Sequence, residues 1–63
     1  MYKNIKAEQA RRGVTDQDVA DYLGISRKTY GKKIHDGNWN DVQAKKLCQY
    51  FQKSFDYLFQ NED

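Results

Sequence analysis

Sixty-three residues with net charge +2, no proline and a single cysteine make one domain, 1–63, and exclude a sizeable enzyme, a disulfide-stapled secreted fold and a cysteine-built metal site. A chain this short hides only about 60% of its extended surface on folding, so its 38% hydrophobic content makes a small core, while 14% aromatic residues argue against intrinsic disorder. No apolar run is long enough to cross a bilayer and the start does not resemble a signal peptide, so a cytoplasmic helical module that acts through a partner is expected.

Residues 3–12 carry Ile5, Ala7 and Ala10 among good helix formers and predict a first helix ending at Gly13, a residue suited to a left-handed terminus. Thr15 reads as the next N-cap, with Asp16 and Asp18 in a first turn whose dipole favours carboxylates. Val19, Ala20 and Leu23 follow at helical spacing before Gly24 stops the helix. Ser26 caps a third helix over about residues 27–35, with Tyr30 and Ile34 on one face and Asp36-Gly37 as its end. Asn40 and Gln43 form a capping-box-like pair opening a fourth helix, whose apolar side is read as Val42, Ala44, Leu47, Cys48 and Phe51. Ser54 caps a last short turn with Phe55, Leu58 and Phe59 as its apolar side, and the tail 60–63 is expected to fray.

Charge is unevenly distributed along this series. Residues 1–35 hold eight lysines and arginines against four carboxylates, whereas residues 36–63 hold three against five. The basic surplus therefore lies in the half that contains the most specific pattern, about residues 15–36. There a capped helix with small Ala20 is followed by Leu23, Gly24, Ile25 and Ser26, and then by a second capped helix with an apolar residue at Tyr30. This is helix-turn-helix spacing. Ala20 lets the second helix cross closely, Gly24 permits the positive φ of a tight turn, Ile25 fills the angle, and Ser26 satisfies free amides.

With those residues in place, the chain resembles the phage repressor and Cro type of helix-turn-helix domain, the XRE family, over about residues 4–59. The resemblance includes the run Ala44-Lys45-Lys46-Leu47 and the stretch Ser54-Phe55-Asp56-Tyr57-Leu58-Phe59, which looks like that family's short closing helix. It implies an all-α, compact five-helix lambda-repressor-like domain. It also implies a transcriptional regulator, of phage or prophage type, binding palindromic double-stranded operator DNA as a homodimer. The recognition helix, about residues 27–35, would lie in the major groove with its early residues on base edges. The base-reading positions carried over are Ser26, Arg27, Lys28 and Lys32, with a guanine expected opposite Arg27.

Phosphate contacts implied by the same resemblance flank that helix at Arg11, Arg12, Gln17, Asn38, Trp39 and Asn40. Thr29 is read as touching a thymine methyl or a phosphate, Lys33 as contacting phosphate or solvent, and Trp39 either as a lid on the core or as an indole donor to phosphate. Tyr50, Phe55, Tyr57 and Phe59 are the dimer-interface residues, unless they are core. The chain departs from the family pattern at Asp16, where a phosphate-contacting Gln is usual, and at Gln9 and Ile34, where an Arg–Glu pair is usual. The aspartate would repel phosphate unless turned away, so the contact is carried to Gln17. Neutral packing is expected to replace the ion pair. Gly31 in mid-helix permits close approach to DNA or is a plain surface glycine.

Catalytic chemistry is not expected. His35 has no nucleophile in motif with it, Cys48 reads as an inert core thiol, and the carboxylates follow caps and surfaces. No metal or cofactor is implied. The resemblance is to short Cro-like regulators or to the isolated DNA-binding part of a longer protein. The rival expectation, from another class, is a protein-interaction module of antirepressor or antitoxin type that holds a second regulatory protein.

Overall fold

Four side-chain caps and three left-handed glycines divide the chain into its helices. In the computed structural model, which describes residues 2–60, these are α1 (Lys3–Arg12), α2 (Asp16–Leu23), α3 (Arg27–Asp36), α4 (Asp41–Phe51) and α5 (Phe55–Leu58). There is no strand among the described residues. Thr15, Ser26, Asn40 and Ser54 each accept from the amide three residues on, and Thr15–Asp18 and Asn40–Gln43 complete reciprocal capping boxes. Each such cap contributes about 1 kcal/mol. The first helix has no side-chain cap. Instead the Tyr2 amide donates to the Ile34 carbonyl at 3.1 Å, tying the start of the chain to the end of α3.

Gly37 shows why this join needs glycine. Its φ is +75°, and an added Cβ would run into the Tyr2 phenol ring. The fourth helix ends differently, on Gln52 at φ +55°, the one non-glycine residue with positive φ among those described. A non-glycine residue there costs roughly 1–2 kcal/mol.

The core is Ile5, Val19, Ala20, Leu23, Tyr30, Ile34, Leu47, Phe51 and Leu58, drawn from all five helices. Tyr2, Val14, Ile25, Trp39, Cys48, Tyr50, Tyr57 and Phe59 pack around it. Helices α2 and α3 form the most extensive pair. Asn4 Nδ2 donates to the Tyr57 carbonyl at 2.8 Å and so joins the last helix to the first.

Several expectations about facing are corrected. Ala7 and Ala10 are exposed, and the inward side of α1 is instead Ile5 with the polar Glu8 and Gln9. Val42 is 65% exposed because it lies about 200° around the helix from Ala44, on the side opposite the buried series Ala44, Leu47 and Phe51. Phe55 is 58% exposed, resting on Phe59 with ring centroids 4.8 Å apart. Cys48 is half-buried, and burial pushes its thiol pKa up, which keeps it protonated. Of the tail 60–63 expected to fray, Gln60 accepts from Asn4 Nδ2 at 3.2 Å, and 61–63 lie outside the described residues.

Candidate nucleic-acid interface

The site is built on the turn between α2 and α3. Gly24, at φ +75°, reverses the chain, and its amide and that of Ile25 return to the Asp21 and Ala20 carbonyls at 3.1 and 3.0 Å. Ser26 then opens α3. Its Oγ accepts from the Thr29 amide at 3.1 Å and donates to Thr29 Oγ1 at 2.9 Å. That hydroxyl is therefore occupied both as donor and as acceptor by the helix start, and Ser26 acts as the α3 cap.

From Ser26 onward the helix has two unlike sides. Tyr30 and Ile34 are buried, whereas Arg27, Lys28, Thr29, Gly31, Lys32 and His35 are exposed. No hydrogen bond or ion pair with another described residue takes up the charged ends of Arg27, Lys28 or Lys32. Lys28 and Lys32 thus stand one turn apart on the outer side of the helix, while Arg27 is exposed at its start, on the stripe that continues to Tyr30 and Ile34, where its charge also acts on Asp16. Lys33 is different: its Nζ donates to the Asn38 carbonyl at 2.6 Å and lies 6.0 Å from the centre of the Trp39 ring. A cleft of about 530 Å³ lies along this side, lined by Thr29, Lys32, Lys33, Asp36 and Asn38.

The flanking residues divide. Arg11 is exposed, with Nη1 3.2 Å from Glu8. Arg12 is turned onto the protein: it donates to the Phe51 carbonyl, its Nε lies 3.6 Å from Glu8, and its guanidinium stands 5.7 Å over the Phe51 ring. Arg12, expected at phosphate, here clasps α1 to the end of α4. Gln17 donates to Asp21 Oδ1 at 2.8 Å along the outside of α2, and Asn40 is occupied as the α4 cap. Trp39 is a lid, edge-on to Tyr2, Tyr30 and Phe59 at 5.9–6.5 Å. Its Nε1 is buried with no hydrogen-bond partner among the described residues.

Asp16, the residue most awkward for an anion-binding surface, is half-buried and turned onto α1. Its Oδ1 takes the Lys6 ammonium at 2.6 Å and the Gln9 amide at 2.8 Å. Those two hydrogen bonds, with the Lys6 and Arg27 charges, hold its carboxyl below the ordinary aspartate value despite partial burial. Gln9 is buried and accepts from the Tyr30 hydroxyl, whose own pKa is raised by burial first and then by Asp16 and Tyr50. Ile34 is part of the apolar core, whereas Gln9 is held by polar groups, the Asp16 carboxylate and the Tyr30 hydroxyl, rather than by the neutral packing expected for it. The pairing of Gln9 with Tyr30 was not foreseen, because nothing local links residues 21 positions apart.

The four residues expected at a dimer surface are largely internal. Tyr50 packs on Tyr22 and Phe51 at 4.7 and 5.0 Å, Tyr57 donates to Glu8 at 3.1 Å, and Phe59 packs on Tyr2 and Trp39. Only Phe55 faces outward. Sequence reasoning missed Glu8, a fully buried carboxylate. Burial pushes its pKa up, but the Tyr57 hydroxyl and the Arg11, Lys53 and Arg12 charges outweigh that and leave it lowered. The 8–11–12 spacing, i to i+3 and i+4, was the signal for it. Protein-family models, curated proteins and solved structures were compared with the chain, and none matches.

Proposed function

We propose that the protein is a sequence-specific double-stranded-DNA-binding transcriptional regulator of the cytoplasm, using α2 and α3 as a helix-turn-helix with α3 in the major groove. The observation that carries this reading is the exposed surface of α3, where Arg27 at the helix start and Lys28 and Lys32 one turn apart have no hydrogen bond or ion pair to another described residue, while Tyr30 and Ile34 anchor the helix from beneath. Arg and Lys at such positions suit guanine O6 and N7, and a helix fits the roughly 12 Å width of the major groove. The turn of Asp16 onto Lys6 supports the reading, since it withdraws an anion from the helix next to the cations. A body 24 Å in its longest extent is shorter than the ~34 Å turn that separates half-sites. That supports a homodimer on a palindromic operator.

Selection of bound duplexes from a random pool, repeated at two salt concentrations, tests the proposal. A motif with a guanine-containing half-site is expected, and equal, weak binding to every sequence sinks it. Arg27→Ala is expected to cost about 1–3 kcal/mol on the selected duplex and little on a scrambled one, read by titration of both. Equal losses would move Arg27 to the phosphate backbone. A protein-interaction module is favoured by the outward Tyr22, Val42 and Phe55, and is the outcome a failed selection would leave.

A further inference from the structure

Four side chains from three helices meet in a single line of hydrogen bonds beneath the first turn of α3. Lys6 and Gln9 on α1 both donate to Asp16 Oδ1 at the start of α2, at 2.6 and 2.8 Å, and Gln9 in turn accepts from the Tyr30 hydroxyl on α3. Tyr30 and Gln9 have 0% and 4% of their surface exposed. A phenylalanine and a leucine would fill the same space without any buried polar group to satisfy. What the buried Gln9–Tyr30 end of the line adds is direction, because hydrogen bonds in a low-dielectric interior accept one arrangement where apolar packing accepts several; the Asp16–Lys6 end that anchors it is partly exposed. Tyr30 lies one helical turn beyond Arg27, so a shift or rotation at its hydroxyl end is carried to the exposed cations.

We infer that Asp16 is a positioning residue for DNA reading: acting through Gln9 on the Tyr30 hydroxyl, it fixes the rotation and depth of α3 and hence the direction in which Arg27 and Lys28 project. This rests on the DNA-binding reading above. Asp16 itself touches no base. It holds the reading helix from the side, and Lys6 keeps its carboxylate charged and aimed at Gln9.

The test uses the full chain with Asp16→Asn, Gln9→Leu, Tyr30→Phe and the Asp16→Asn/Tyr30→Phe pair, each checked for folding by circular dichroism at the assay temperature. Two readouts are taken: the backbone amide shifts of residues 27–34, and affinity for the selected and a scrambled duplex. Asp16→Asn and Gln9→Leu, remote in sequence from α3, are expected to displace the same α3 amides in the same sense. Each single substitution is expected to lower affinity for the selected duplex by about five- to tenfold, with the scrambled duplex within twofold. The pair should be no worse than its weaker member, since both changes cut one line. Unmoved α3 amides, additive effects in the pair, or equal losses on both duplexes would overturn the inference. If the wild type selects no duplex, the DNA reading falls, and the amide shifts alone then uphold or overturn control of α3 by Asp16.

Discussion

Glu8 and Asp16 show how much a single carboxylate can do in a domain this small. Each is ionised against partial or complete burial because hydrogen-bond donors and cations surround it: Tyr57, Arg11, Lys53 and Arg12 for Glu8, Lys6, Gln9 and Arg27 for Asp16. Both carboxyls therefore titrate lower in the folded chain than their ordinary values of 4.5 and 3.8. The unfolded chain binds more protons in that range, so stability rises with pH, is fully present above the unfolded values, and is lost as pH falls through the folded ones. The melting temperature should be flat between about pH 6 and 8, fall progressively below about pH 4.5, and fall again in the alkaline range, where the unfolded chain loses the thiol and phenol protons that folded Cys48 and Tyr30 retain. Glu8→Gln, melted across the same range, should give a lower plateau and a shallower acid limb. An acid limb of unchanged slope would show that Glu8 is not among the groups responsible.

At the scale of elements, the boundaries were legible because caps and stops are local chemistry. Thr15, Ser26, Asn40 and Ser54 sit where the helices begin, and glycines at 13, 24 and 37 sit where three of them end. The inward faces were less legible. Ala7, Ala10 and Val42 are apolar, yet they lie on arcs that no other helix covers, while Glu8 and Gln9 lie on the arc that faces α3 and α5. Gly31 gives a test at this scale, since a Cβ there meets nothing within 4 Å. Gly31→Ala should raise the stability of the free protein by about 1 kcal/mol, seen as a rise of roughly 4–8 °C in melting temperature. If α3 enters the major groove on its Gly31 side, the same variant should bind the selected duplex more weakly. Unchanged binding would place Gly31 away from the DNA.

For the whole molecule, the aromatic residues hold the ends of the chain together. Tyr2, Trp39 and Phe59 form one edge-to-face cluster. Asn4 and Glu8 hold Tyr57 by its carbonyl and hydroxyl. The aromatic-rich second half is therefore mostly internal closure, which leaves Phe55 as the outward residue of the four expected at a dimer surface. Phe55→Asp should leave the melting temperature nearly unchanged, as substitutions at exposed positions usually fall within about 0.5 kcal/mol. It should also abolish cooperative binding to a duplex carrying two half-sites while sparing binding to one. Retained cooperativity in a gel-shift titration would move the interface elsewhere, with exposed Tyr22 and Val42 as the next residues to change.

The sequence by itself determined where the helices start and stop and which stretch carries the cationic side chains, because these depend on residues within four positions of one another. Only the tertiary structure decided that Asp16 turns onto α1, that Arg12 clasps α4 and that Trp39 buries its indole N–H. The physical reason is that a polar side chain's direction follows from its nearest available partner, and here those partners come from other parts of the chain: Tyr30 is 21 residues from Gln9, Phe51 is 39 from Arg12, and Tyr57 is 49 from Glu8.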